Sequence, residues 1–295
     1  MGKSLAEQFE VARRTFEEAD DTLGFSLSRL CFEGPEEDLK RTENTQPALL
    51  AVSTAAVAAL RERGWQPDCV AGHSLGEYSA LVAAGSLGFA DALRLVRNRG
   101  RYMQEAVPAG VGAMAALLKL PEGKLEGVLL EAAQGEVVSA ANLNSPDQVV
   151  IAGHTGAVDR AVALAKAAGA KRAVILPVSA PFHCSLMKPA QERLRADLDA
   201  TEFRDLCCPL VNNWQAREIC SGAEAREGLY QQVPNPVRWV ESVRYLAAQG
   251  VARALEVGPG GVLTGLLRSI APSITGLKAG EAVDLAAIAA AEGAG

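Results

Sequence analysis

At 295 residues the chain can bury a substantial core, as one large domain or as two smaller ones. A hydrophobic fraction of 49% and a charged fraction of 22% are those of an ordinary globular protein, and a net charge of -6 with no basic run argues against nucleic acid as the main partner. Apolar stretches are broken by charge or glycine well short of a membrane span, and the opening residues lack the apolar stretch of a signal peptide, so a cytoplasmic protein without membrane contact is expected.

The first part of the chain reads as mostly helical. Residues 6–19 are charged and amphipathic, 47–63 carry an Ala/Leu/Val stripe, and 89–106 have apolar residues at helical spacing. Cys69-Val70-Ala71 reads as the end of a short buried strand, and 78–84 as a helix. Then the period changes. Residues 112–120 read as a strand and 122–134 as a helix opened by Pro121. Strands at 137–143 and 148–152 are joined by the turn Asn144-Ser145-Pro146-Asp147, followed by a helix over 156–168 and a strand over 172–178. That β-α-β-β-α-β order is the order of a ferredoxin-like unit. It predicts a small subdomain at 111–178, inserted in a larger domain made of 1–110 and 179–295. Beyond it come helices at 186–200 and 237–249, short strands at 210–213 and 252–257, and a helix from Gly258-Pro259-Gly260-Gly261 to 270. Strands alternating with helices predict an α/β fold with a mainly parallel sheet covered on both faces. The last ~15 residues, rich in Ala and Gly, are expected to be loosely held.

The six cysteines, Cys31, Cys69, Cys184, Cys207, Cys208 and Cys220, show no Cys-x-x-Cys spacing. Free buried thiols are expected, with Cys207 and Cys208 in strand core and no zinc site.

Gly72-His73-Ser74-Leu75-Gly76, followed by Glu77, fits Gly-x-Ser-x-Gly, the elbow that places a nucleophilic serine between a strand and a helix. Side chains at either glycine are expected to crowd the turn. A nucleophilic serine needs a base, and the chain has three histidines. His73 adjoins Ser74 on a tight turn, where neighbouring side chains diverge, so it is expected to pack under the elbow. His154 ends a strand and enters a helix. His183, in Ala180-Pro181-Phe182-His183, lies where the chain returns from the small subdomain to the large one, a boundary at which sites form. No acid is obvious for a third position: Glu77 is too near Ser74 in sequence, and Asp197 and Asp199 fall in a solvated helix. A Ser-His dyad oriented by a backbone carbonyl fits as well as a triad. Arg94, Arg97, Arg99 and Arg101 share one helix, and an inward guanidinium there would clamp a carboxylate, but the pattern does not single one out.

Gly-His-Ser-Leu-Gly-Glu-Tyr-Ser-Ala at 72–80, Arg97-Asn98-Arg99-Gly100 with Met103-Gln104, and Asn144-Ser145-Pro146 together resemble one enzyme family. Ala180-Pro181-Phe182-His183, Asn235-Pro236-Val237-Arg238-Trp239 and Glu256-Val257-Gly258-Pro259-Gly260 continue the resemblance. The chain resembles the malonyl-CoA:acyl carrier protein transacylases of bacterial fatty acid synthesis, from its first residues to about Ile270. The resemblance implies a hydrolase-like parallel-sheet core with an inserted ferredoxin-like subdomain, Ser74 as nucleophile and His183 as its base. It implies Arg99 for the malonyl carboxylate, the Gln232 main-chain carbonyl to orient the histidine, and Phe182 in the malonyl-selective form. The Leu75 amide would be one oxyanion donor. The family opens on a strand and a Gly-Gln-Gly-Ser-Gln stretch ahead of the region matching Gly2-Lys3-Ser4-Leu5, whose glutamine would give the second donor. The expectation is therefore a misassigned start or a shortened chain rather than a naturally short enzyme.

The expected reaction is ping-pong acyl transfer from malonyl-CoA to the phosphopantetheine thiol of acyl carrier protein, through a malonyl-serine ester. Coenzyme A enters as a thioester substrate, and no bound cofactor is expected. Alternatives are a serine thioesterase or hydrolase with the same elbow, and an inactive homologue that keeps only affinity for carrier protein.

Overall fold

The computed structural model describes residues 1–178 and 180–292, so Ser179 and the last three positions of the larger predicted domain lie outside the described residues. A helical layer comes first: α1 (Lys3–Gln8), α2 (Glu10–Leu23), α3 (Leu27–Glu33), α4 (Glu36–Lys40) and α5 (Thr42–Arg61). The single helix expected at 6–19 is broken at Phe9, whose φ of -125° is extended. α5 starts earlier than expected and runs through Pro47, which leaves one helix amide missing near its start. β1 (Val70–Ala71) is only half-buried, not the buried strand expected; it leads to α6 (Leu75–Ala83) and α7 (Phe89–Glu105). Small residues let α5 and α7 pass closely: Ala48, Ala51, Ala55 and Ala56 are fully buried, and a Cβ at Gly100 would stand 2.7 Å from the Thr42 carbonyl oxygen.

The middle segment forms β2 (Gly112–Leu118), α8 (Leu125–Ala133), β3 (Val138–Ser145), β4 (Gln148–His154), α9 (Thr155–Ala167) and β5 (Arg172–Ile175). Its strands make a four-stranded antiparallel sheet in the order β3-β4-β2-β5, with Ala115 opposite Ile151 and Ala116 opposite Val174. Successive residues of β2 face opposite ways. Ala115 and Leu117, with Ile151, pack on Val128 and Ala132 of α8 and Val158 and Ala161 of α9. Met114 and Ala116, with Val150 and Ala152, pack on Cys184 and Phe182 instead. Both faces are therefore buried, which is why β2 reads as one apolar run. The second face carries the loop that holds His183. Pro181 lies flush on Gly112, where a Cβ would come within 2.3 Å of the proline ring.

A 3-10 turn at Ser185–Met187 leads to α10 (Lys188–Asp199), then β6 (Leu210–Val211), β7 (Glu218–Ile219), α11 (Gly222–Gln232) and α12 (Trp239–Ala248). β8 (Arg253–Val257), α13 (Val262–Ile270), β9 (Thr275–Ala279) and α14 (Ala282–Glu292) complete the chain. β1 pairs in parallel with β6, β7 joins β6 antiparallel, and β8 and β9 form a separate parallel pair. The loosely held end was expected wrongly in part: α14 docks Leu285 and Ile288 in the main core. All six cysteines are free, but Cys207 and Cys220 are exposed, and Cys207-Cys208 precedes β6 rather than lying in it.

Candidate active site

Ser74 caps α6 with φ 51° and ψ -106°, a left-handed backbone that a non-glycine residue adopts at a cost. Gly72 makes the turn possible, since a Cβ there would fall 1.9 Å from the Gly76 carbonyl oxygen. Gly76 has open space around its Cβ position, so the expected crowding holds for one glycine and not the other. The strained turn is held from outside. Asn213, just past β6, accepts from the Ser74 amide at 2.7 Å and donates from its Nδ2 to the Gly72 carbonyl at 2.6 Å. The parallel pairing of β1 with β6 brings that side chain to the elbow.

His183 also has a positive φ, 59°, on the loop carried by the small sheet. Its Nε2 lies 2.7 Å from Ser74 Oγ, and its Nδ1 lies 3.0 Å from the main-chain carbonyl oxygen of Gln232, at the end of α11. A carbonyl only accepts, so Nδ1 carries the proton and Nε2 is left to accept from the serine hydroxyl. Burial, and then the neighbouring Arg99 guanidinium, push the His183 pKa down to about 3. The imidazole is thus neutral near pH 7, the form a base must start from. Where a triad would place an acid, the Gln232 main-chain carbonyl stands instead.

Of the four arginines on α7, Arg99 points inward and is 2% exposed. Its Nη2 donates to Ser74 Oγ at 3.1 Å and to Gln232 Oε1 at 2.9 Å, and its Nη1 donates to Gln46 Oε1 at 2.7 Å. Arg94 pairs with Asp91 at the surface, and Arg97 lies over the Phe25 ring. A fixed cation against the serine oxygen can receive the far carboxylate of a short diacid ester. Gln232 works at both ends: its main chain holds His183, and its side-chain Nε2 donates to the Ser74 carbonyl at 3.0 Å and to Glu77 Oε2 at 2.9 Å. Glu77, dismissed from sequence as too close to Ser74, is fully buried and belongs to this cluster. Its Oε2 also accepts from the Asn213 amide at 3.0 Å. Burial raises its pKa to about 7, against the hydrogen bonds from Gln232 and Asn213 and the charge of Arg99.

The remaining expected residues fall nearby. Leu75 is the first residue of α6, and its amide is one of those a helix leaves unpaired at its N-terminus. Phe182, half-buried, packs on both the main core and the small sheet. His73 is held under the elbow, its Nε2 2.8 Å from Asn144 Oδ1 and its ring edge-on to Trp239. His154 is structural: its Nδ1 accepts from the Val137 amide at 2.9 Å. Asp197 accepts from Asn98 and is not part of the cluster. Gln46 and Asn213 were missed, because a lone amide in a helix or after a short strand carries no period or motif. Among the described residues, no group of three or more His, Cys, Asp or Glu could hold a metal ion, and no helix is long and apolar enough to cross a membrane.

Comparison with known proteins identifies the family. The acyl transferase domain model matches residues 1–284. The malonyl CoA-acyl carrier protein transacylase of Escherichia coli K12 is 50% identical over 284 residues, 96% of this chain and 92% of that protein. The crystal structure of an acyl carrier protein S-malonyltransferase from Vibrio cholerae superposes with a TM-score of 0.95 at 48% identity, covering 98% of this chain and 94% of that one. A malonyl-transacylase solved in complex with its type II polyketide acyl carrier protein gives a TM-score of 0.94 at 48% identity, covering 97% of this chain and 93% of that one. With a family model spanning nearly the whole chain and a relative identical at half of the aligned positions, the chain belongs to the acyl transferase family.

Proposed function

We propose that this chain transfers a malonyl group from malonyl-CoA to the phosphopantetheine thiol of acyl carrier protein, with Ser74 as nucleophile and His183 as its base. The observation that carries the assignment is the Ser74 Oγ to His183 Nε2 contact of 2.7 Å at a strained elbow. In the first half-reaction His183 Nε2 takes the serine proton while Oγ attacks the thioester carbonyl. The oxyanion forms at the N-terminus of α6, where the Leu75 amide donates. Collapse breaks the carbon–sulfur bond, and His183 returns its proton to the departing coenzyme A sulfur. The malonyl-serine ester remains. The carrier-protein thiol then repeats the sequence in reverse, giving its proton to His183 as it attacks and leaving Ser74 free.

Arg99 takes the free malonyl carboxylate, exchanging a contact to Gln46 or Gln232 for a charged one. An acetyl group offers no such charge and leaves the guanidinium unmatched, which disfavours it. The carboxylate also offsets the charge that weakens His183 as a base, so the correct substrate strengthens its own catalyst. Phe182 lines the acyl site beside His183. Of the described residues, 1–110 and 180–292 form the catalytic domain and 111–178 the ferredoxin-like subdomain. The reaction uses coenzyme A as a thioester substrate and needs no bound cofactor, and a cytoplasmic setting suits both substrates.

The test is the intact mass of the protein after mixing with malonyl-CoA, beside Ser74→Ala. A malonyl adduct on the wild-type chain alone, discharged by holo acyl carrier protein, is the expected result. Discharge to water at the same rate with or without carrier protein would make the chain a hydrolase. No adduct at all would overturn the assignment.

A further inference from the structure

The cluster around Ser74 contains one buried anion that the transfer chemistry does not use. Glu77 is 0% exposed, and one of its oxygens, Oε2, takes both of its hydrogen bonds. The other, Oε1, has no partner among the described residues, and Gly228 of α11 stands against it: a Cβ there would be 3.6 Å away. Arg99 Nε is likewise without a partner. Between the two charges lies the Gln232 side chain, with Oε1 accepting from the arginine and Nε2 donating to the carboxylate. The amide therefore spans a buried cation and a buried anion with its dipole aligned to both. Such a bridge keeps the pair electrically matched when the acyl site is empty.

Resting on the malonyl-transfer reading above, we propose that Glu77 is a positioning residue for substrate choice: through Gln232 it balances Arg99 in the empty enzyme, and it takes a proton when the malonyl carboxylate replaces it as the partner of Arg99. Three charges would otherwise share one dry site, two of them negative, and like charges in low dielectric cannot both stay ionised cheaply. The oxygen without a partner is where that proton can sit without breaking either existing hydrogen bond. The pKa of about 7 places the exchange near neutrality. Other titratable groups around the cluster do not compete for the proton. Arg99 on α7 stays charged. Tyr78, beside Glu77 on α6, has its pKa raised by burial, and His183 and His73 have theirs lowered by burial. The 212–213 segment and α11 bring only amides and Gly228 to Glu77.

The sign follows. With Glu77 ionised, a malonyl carboxylate enters against a like charge. With Glu77 protonated, it meets Arg99 alone. An acetyl group feels neither. The ratio of kcat/KM for malonyl-CoA to that for acetyl-CoA therefore falls as pH rises through about 7, by about tenfold. Both kcat/KM values report the titration of His183 in the free enzyme, which is the same for the two substrates and cancels from the ratio. The experiment measures that ratio from about pH 5.5 to about pH 8.5, a range that brackets the Glu77 titration, in the wild type and in Glu77→Gln. The isosteric amide keeps an acceptor for Gln232 and Asn213 but carries no charge. Its ratio should stay at the wild-type acidic value at every pH. A ratio that is flat with pH in the wild type overturns the proposal, whether or not the variant folds. So does a Glu77→Gln protein whose ratio keeps the wild-type slope. Failure of the malonyl-transfer reading is a separate result: no adduct forms on Ser74, whereas failure of this proposal leaves the adduct in place with a flat ratio.

Discussion

The small sheet and the Ser74 cluster are both well buried, and they are buried by opposite means. In the sheet, Ala115, Leu117 and Ile151 meet alanines and valines of α8 and α9, and the ladders that join β2, β3, β4 and β5 are all made within one run of chain. Around Ser74, the buried groups are an arginine, a glutamate, a histidine and three amides (Gln46, Asn213 and Gln232), brought from α5, α6, α7, α11 and two loops. The sheet draws its stability from area removed from water. The cluster holds polar groups that burial penalises, and it persists because their hydrogen bonds interlock. The first arrangement is stable and chemically idle. The second gives up stability to hold Ser74, His183 and Arg99 within hydrogen-bond reach of one another.

If that contrast is right, substitutions should separate activity from stability according to where they fall. The largest effect belongs to His183→Ala, which should lower the rate of malonyl-serine formation by about 10^3-fold or more while leaving the melting temperature near that of the wild type. Rapid-quench mass measurement and a thermal melt on one preparation would check both halves. A comparable loss of folded protein would mean the cluster is structural after all. Arg99→Ala should come next, cutting the malonyl-over-acetyl preference by about 10^2-fold. It should also cost more stability than His183→Ala, because Gln46 Oε1 and Gln232 Oε1 lose their donor and the buried Glu77 loses its counter-charge. Unchanged selectivity in competition assays would remove Arg99 from its assigned role. The smallest effect is the mirror image. Ile151→Val, in the middle of β4, should cost about 1 kcal/mol in denaturant unfolding and nothing in rate per folded molecule. A change in rate there would show that the sheet does more than carry its neighbours.

Legibility in the sequence followed the same divide. The small sheet could be read because its strands alternate or run apolar over several residues and its helices keep one period, so local pattern and final contacts coincide. The elbow was legible because three residues and a turn define it. His183 was legible because the chain has only three histidines and one sits at a boundary. The rest depended on contacts that no local pattern encodes. β6 and β7 have two residues each, too few for a period, and α11 begins at a glycine that packs against the Phe203 carbonyl. Pro47 looked like a helix start and instead lies inside α5. That hid Gln46, one position earlier, as a partner of Arg99. Glu77 was passed over for lying three residues from Ser74. On a helix that spacing puts two residues on one face, but Ser74 is the cap outside the first turn, and the carboxylate reaches Gln232 rather than the serine hydroxyl.

Pro181 pressed on Gly112, and Cys184 seated on the small sheet, give His183 and Ser74 different foundations. His183 rides on one sheet and Ser74 on the other, with the His73–Asn144 and Leu143–Val237 hydrogen bonds as the struts between them. The 2.7 Å contact of the dyad is thus a caliper whose jaws belong to separate parts of the molecule. A tilt of a single ångström between those parts would part donor from acceptor, and a load that squares them up would close it again. The Ser74–His183 hydrogen bond is in that sense a reading of how two sheets stand to each other.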